Sequence, residues 1–381
     1  MNKSQDLSQK ARIILQGMFV ADAAALGLHW LYDKKKLKDL EGVSVAFQDP
    51  NEKTYEGVFG YFAHGKKKSG DLSHYGSTLQ LMLFHLLKHG STFDIKAYQK
   101  EYRDYFGPGG DYVGFVDNPT RITLENLAQY DYKLTEQARE LSRSLPDDVA
   151  KVVVQKVLPY LKKFSGEDLI IPVKNAIEIT YPDPEVIRVA LKMAESLDKN
   201  YLAKSGADDQ QIPALSGVVP VVLMERSGED LDSLIEKVVR VTNNNDVAVM
   251  CAQFFAQVLK SYIEGTEFEA SIEGAKHYLP DEVRKKIERT SENIDAPLFE
   301  SALYFGRTCY LPESLPLSIY ILRTSHSFEE AVERNIKAGG DSCGRSLVVG
   351  ALGALKFTGD QGCPNDWWMK VKLDQEVAQL F

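Results

Sequence analysis

Several things are scarce in this sequence, and each shortage excludes something. Four cysteines occur in 381 residues, Cys251, Cys309, Cys343 and Cys363, and none forms a CxxC pair. That argues against a disulfide framework and for free thiols in a reducing compartment, so the cytoplasm is the expected location. Basic residues are outnumbered, 45 Lys and Arg against 54 Asp and Glu, for a net charge of -9. Without a basic footprint, nucleic acid is not an expected partner. No run is read as long enough to span a bilayer. The opening "MNKSQDLSQK" lacks the apolar core of a secretory peptide, so no membrane partner is expected. Strand signals are few, "VSVAF" at 43–47 being the best of a weak set. There is no low-complexity tract, no obvious repeat and no Gly/Ser/Pro linker. A single, mostly α domain over residues 1–381 is the expectation.

What is abundant is helix punctuation. Residues 8–29 carry an apolar stripe at Leu15, Met18, Ala25 and Leu26, with Ser8 placed as a cap. Asp183-Pro184 is a cap followed by proline at the first helical position. Residues 247–262 read as a buried helix closed by Gly265. Ser327 and Glu330 form a capping box, and Gly339 ends the helix that follows. "SGDLSHYGSTLQLMLFHLLKHG" (69–90) is apolar almost all round in its second half, so its polar start, His74 to Thr78, should open into the interior.

The stretch "AGGDSCGRSLVVGALGA" (338–354) imitates a phosphate loop, with Gly339, four residues, Gly344, Arg345 and Ser346. A phosphate loop follows a β-strand and carries lysine. This one follows a capped helix and carries arginine, so a nucleotide triphosphatase is set aside. Asp341 precedes a helix start. Either it is the N-cap, or it ligates a hard cation such as magnesium. Gly350, Ala351, Gly353 and Ala354 predict close packing against a second helix.

Polar groups also stand where apolar ones are expected. Asp22 lies on the stripe of the first helix, with His29 further along the same face. A carboxylate there must be hydrogen-bonded, paired or metal-bound. "FGPGGDYVGF" (106–115) is either a plain loop or a glycine-rich turn offering N–H groups to a phosphate. "GADDQQIPA" (206–214) and "TNNNDVA" (242–248) are polar turns entering apolar segments. His85 and His89 have the i, i+4 spacing of zinc ligands, but the acid of HExxH is absent and Lys88 intervenes, so they read as helix-end residues. Cys343 is either a small packed thiol or a thiol activated by a helix start.

Taken together, these stretches resemble the ADP-ribosylglycohydrolase family, and within it the branch of the J-crystallins. "GMFVADAAALGLHW" resembles the family's opening segment. "SHYGSTLQL" stands where the family has TDDT, and "FGPGGDYVGF" where it has a phosphate loop. "GADDQQIPA" and "TNNND" stand for its G-x-x-x-M-R segment and Thr-His pair, "GGDSCGRSLVVGALGA" for its GGDTDT signature, and "CPNDWW" for the Pro and Trp after it. The resemblance implies an all-α orthogonal multi-helix bundle with a central cleft. It also implies two magnesium ions, held by TDDT and GGDTDT, and metal-assisted hydrolysis that releases ADP-ribose from a modified side chain.

Carried onto this chain, the resemblance makes Asp341 and Ser77 the remaining metal ligands. Asp341, Asp22, His74, Asp208 and Asp209 become the candidate acids and bases. Gly107, Gly109, Gly110, Asp111, Tyr112, Asn243 and Cys343 become the candidate contacts to an ADP-ribose-type ligand. The departures are specific. Tyr75, Gly76 and Ser77 replace the first three TDDT residues, Cys343 and Gly344 replace the second Asp and the Thr of GGDTDT, and Thr242-Asn243 replaces Thr-His. Two expectations follow: an ADP-ribosylglycohydrolase-like hydrolase or binder with a degenerate magnesium site, or a non-catalytic, crystallin-like structural protein.

Overall fold

The computed structural model describes residues 8–292, 294–359 and 361–381. Among them the secondary structure is helical, with isolated bridges and no strand. The expected strand at 43–47 is instead a turn. Val45 is buried there, Phe47 adopts a left-handed φ of 58°, and the Phe47 N–H donates to Ala24 O of the first helix at 3.0 Å. A run of small and β-branched residues resembles a strand locally but has no partner strand to pair with.

The helix starts follow their caps. Ser8 accepts from the Ala11 N–H at the start of the N-terminal helix, Gln9–Ala25, which runs on into a 3-10 turn, Leu26–Leu28. Asp183 caps Pro184–Lys199, and Ser327 caps Phe328–Lys337. Glu330 completes the second cap by accepting from the His326 N–H, one residue earlier than an ideal capping box. The buried helix at 247–262 is Asp246–Ile263.

At the centre the N-terminal helix lies along the Ser342–Thr358 helix. Their backbones nearly touch. A Cβ placed on Gly17 would lie 2.5 Å from Gly350 O, and one on Gly350 would lie 2.6 Å from Gly17 O. Small residues make that approach possible, as the sequence predicted. The expectation that no run could span a bilayer needs correction, because Gln9–Leu28 is long and apolar enough by composition. In the fold 89% of its most apolar window is buried by protein.

The main core gathers both ends of the chain and the helices His74–Lys88, Asp246–Ile263 and Leu311–Arg323. A second, smaller core lies between 134 and 197, built from Leu134, Val153, Val157, Leu169, Val173, Ala190 and Met193. His85 and His89 are more than helix-end residues. Both meet Glu101, at 2.6 and 3.0 Å, beside Lys88. The Asp94 N–H donates to His85 Nε2, so the neutral ring carries its proton on Nδ1 and gives it to Glu101.

Candidate functional site

Three separate segments converge through the backbone. Leu31 bridges Gly60 on one side and Gly340 on the other. Trp30 N–H donates to Gly340 O at 2.8 Å, and Tyr61 N–H to Trp30 O at 3.0 Å. Gly340 is required here. Its φ is +68°, and a Cβ would lie 2.1 Å from Arg307 O. This three-way junction brings His29, His64 and Asp341 together. Trp30 adopts a left-handed φ of 62° and stacks beside His29, with ring centroids 4.4 Å apart.

Asp341 is fully buried. It is the N-cap of Ser342–Thr358, with Oδ1 accepting from the Gly344 N–H at 3.0 Å. The same oxygen accepts from His29 Nε2 at 2.7 Å, and Oδ2 accepts from the Tyr75 hydroxyl at 3.0 Å. His29 Nδ1 lies 2.6 Å from His64 Nε2. Burial first, then the neighbouring His29, holds His64 well below the ordinary histidine range. Burial and the nearby Asp341 push the Tyr75 phenol well up. Beneath the loop the buried Arg345 knits the two flanking helices, donating to Asn335 Oδ1, Asn335 O and Gly339 O.

Asp22 occupies the adjoining layer. Ser73, the N-cap of His74–Lys88, donates its backbone N–H to Asp22 Oδ2 at 2.8 Å and its hydroxyl to Oδ1. A Cβ on Gly76 would lie 2.3 Å from Asp22 Oδ2, so the space a side chain would use at 76 is filled by this carboxylate. Burial raises Asp22 from 3.8 to about 6 against the pull of Ser73. Between these two values the folded protein keeps a proton that the unfolded chain has lost. Asp22 therefore destabilises the fold as pH rises through about 6, by on the order of 3 kcal/mol at pH 7. Asp22→Asn should remove that dependence. Urea unfolding at pH 4 and pH 7 is expected to show the mutant gaining about 2–2.5 kcal/mol on wild type between the two. A constant difference would mean the carboxylate is not strained by burial.

The remaining candidates are spread further. His74 is buried, with Nε2 on Thr120 Oγ1 at 2.8 Å and 3.4 Å from Asp117. Ser77 is buried and meets the Tyr105 hydroxyl. Asn243 is buried and donates to Asp209 O at 3.1 Å. Asp209 is half-buried and turned back on Gln211, whose backbone and side-chain nitrogens both donate to it. Asp208 faces outward and accepts from Asn245, so it is not gathered with the others. In the glycine-rich turn, the Gly107, Gly110 and Tyr112 N–H groups donate to Arg103 O, Gly107 O and Tyr105 O. Those three bonds stay within the turn and its preceding helix. Gly109 is at φ +79° with open space around it, Asp111 is exposed, and the Tyr112 hydroxyl donates to Phe115 O. Cys343 is buried, with Sγ 3.8 Å from Asp22 O and a side-chain hydrogen bond with Ser73. Burial, then Asp22 and Asp341, push its thiol well up. That is the opposite of activation by a helix start.

Two functional-looking residues have no counterpart in the sequence reading: His64 and Asp117. Asp117 caps Asn118–Leu141, and "DNP" before that helix is a legible cap signal. Asp117 Oδ2 and His74 Nδ1 are buried without hydrogen-bond partners. Cavities of 620 and 610 Å³ exist elsewhere, one lined by Leu37, Phe299 and Lys337, the other by Gln80, Glu101 and Asp374. Neither is lined by Asp341, Asp22 or His74.

The order of these stretches, the all-helical fold and the capped Asp341 loop agree with a match over residues 3–381 to the family described as ADP-ribosylglycohydrolase. The chain belongs to the ADP-ribosylglycohydrolase family. Among curated relatives of the family it is similar to Crystallin J1A of Tripedalia cystophora, 26% identical over 99% of this chain and 96% of that one. It is also similar to Crystallin J1B of the same animal, 25% identical over the same shares. Among solved structures it resembles one titled ADP-ribosylglycohydrolase-related protein complex, with a TM-score of 0.56. The identity is 16%, over 98% of this chain and 95% of that chain, a likeness of fold.

Proposed function

We propose that this chain is a non-hydrolytic member of the family, keeping the ADP-ribosylglycohydrolase fold around a buried hydrogen-bond network. The observation that carries the reading is the state of Asp341. It is sealed from solvent, and its oxygens already accept from Gly344, His29 and Tyr75. The donor set does not fit a pair of magnesium ions, which need several carboxylates and oxygen ligands at octahedral positions. Position 76 offers no side chain, Ser77 is engaged by Tyr105, and Asp22 is engaged by Ser73. The likeness to two crystallins supports the same reading.

A second reading is favoured by the bare Asp117 Oδ2 and His74 Nδ1. It is metal-independent binding of an ADP-ribose-type ligand near those atoms, where unpaired buried polar groups are otherwise a net cost. The net charge of -9 supports a small molecule over nucleic acid for this second reading.

The test is release of ADP-ribose from an ADP-ribosylated peptide with and without magnesium, alongside calorimetric titration with ADP-ribose. No release under either condition is expected. Magnesium-dependent release would overturn the first reading. Binding that ignores magnesium and weakens in Asp117→Asn would establish the second.

A further inference from the structure

We propose that His29, His64 and Cys343 form a binding site for zinc. One ligand atom from each lies within 4.8 Å of the other two, and all three residues are buried. Zinc sets its ligand nitrogens at about 2.0–2.1 Å and sulfur at about 2.3 Å, so a tetrahedral ion needs them roughly 3.3–3.8 Å apart. Forming the site replaces the 2.6 Å His29–His64 hydrogen bond and moves side chains by about 1 Å. Two imidazoles and a thiolate suit a borderline or soft ion and not magnesium or calcium.

The surroundings are arranged for such an ion. His29 gives its Nε2 proton to Asp341, which leaves Nδ1 as a lone pair. Asp341 is itself fixed by Gly344 N–H and Tyr75, so the ring is oriented by a carboxylate held in place, as in carboxylate–histidine–zinc arrangements. With His29 Nδ1 accepting, the short contact to His64 uses the His64 Nε2 proton. His64 Nδ1 is then a bare lone pair, buried and without a partner. The Cys343 thiol has its long contact to Asp22 O and a hydrogen bond with Ser73. The cluster thus holds one bare acceptor, His64 Nδ1, and an ion that replaces the His29–His64 hydrogen bond would use His29 Nδ1 as well. On binding, the Cys343 proton leaves to solvent and the thiolate bonds the ion. Thiolate and Asp341 carboxylate together balance its two positive charges. Three protein ligands leave a fourth position for water.

The second group at metal spacing makes a useful contrast. At His85, His89 and Glu101 the hydrogen bonding is closed: Lys88 donates to Glu101 and the Asp94 N–H fills His85 Nε2. That cluster is complete as an ion-pair network.

The experiment is titration of metal-stripped full-length protein with cobalt(II), read by its thiolate charge-transfer absorption, followed by displacement with zinc or magnesium. We expect one equivalent of cobalt bound with a thiolate band that zinc abolishes and magnesium leaves. The band should vanish in Cys343→Ser and affinity should fall at least about tenfold in His64→Gln, with folding checked by circular dichroism. Cobalt bound without a thiolate band would place it away from Cys343 and overturn the proposal. So would wild type that binds none, or a band that survives in folded Cys343→Ser. Should Cys343→Ser fail to fold, wild type and His64→Gln decide, and unchanged affinity in the latter overturns the assignment. The readout is metal binding, so the result stands apart from the outcome of the hydrolysis assay.

Discussion

Asp341→Ala is expected to cost about 3–5 kcal/mol, enough to unfold a large share of the protein at its working temperature. Three donors point at this one carboxylate from three segments: Gly344 N–H, His29 Nε2 and the Tyr75 hydroxyl. Alanine leaves all three buried and unpaired, each at about 1–3 kcal/mol when nothing relaxes. It also removes a helix cap worth about 1 kcal/mol. Asp341→Asn keeps an oxygen for Gly344 and should fall between alanine and wild type. Urea midpoints for the three proteins give the order directly. An alanine loss under about 1 kcal/mol would show that the network carries no stability, and with it would go the claim that this loop now serves the fold.

Gly350→Val should be at least as damaging, by a different route. Overpacking ordinarily costs about 1–3 kcal/mol because side chains can turn aside. Here the atoms in the way are backbone: Gly17 O at 2.6 Å and Met18 Cα at 2.7 Å from the new Cβ. The two central helices would have to separate along their length, so insoluble or molten protein is expected. Gly17→Val should behave alike, with Gly350 O at 2.5 Å. Gly274→Ala is the control. It lies in Phe268–Ala275 with nothing within 4 Å of a Cβ, and it should be neutral or gain up to about 1 kcal/mol. The measurement is soluble yield and thermal midpoint across the four proteins. A folded, soluble Gly350→Val would refute the packing argument.

These residues also show what a single sequence makes legible. Ser8, Asp183 and Ser327 were readable as caps because capping is decided within four residues. Asp22 was readable because a carboxylate on an apolar stripe is conspicuous, and its partner proved to be the start of a neighbouring helix. The Gly350–Ala354 run was readable because small residues on a helix have few other uses. His64 was not. It lies in "YFAHGKKKSG", a loop with no periodicity, and reaches His29 only because Leu31 pairs with Gly60. Asp208 misled for the same reason: its side chain turns outward toward Asn245, a choice made by tertiary packing and invisible in the local pattern. The strand at 43–47 failed because β-propensity reports fit to a sheet, and this fold offers none there.

The pairing of the first helix with the last long one also sets a timetable. Ser346 Oγ donates to Ala21 O across 325 residues of chain. At ribosomal rates of about 5–20 residues per second, roughly 15–65 s separate the synthesis of these two surfaces. For that interval a helix apolar enough to enter a bilayer lacks the partner that packs closest to its backbone. That partner surface forms only when the carboxyl-terminal part of the chain has been made. A chain that stopped before Gly350 would leave this apolar helix without the surface it packs against most closely.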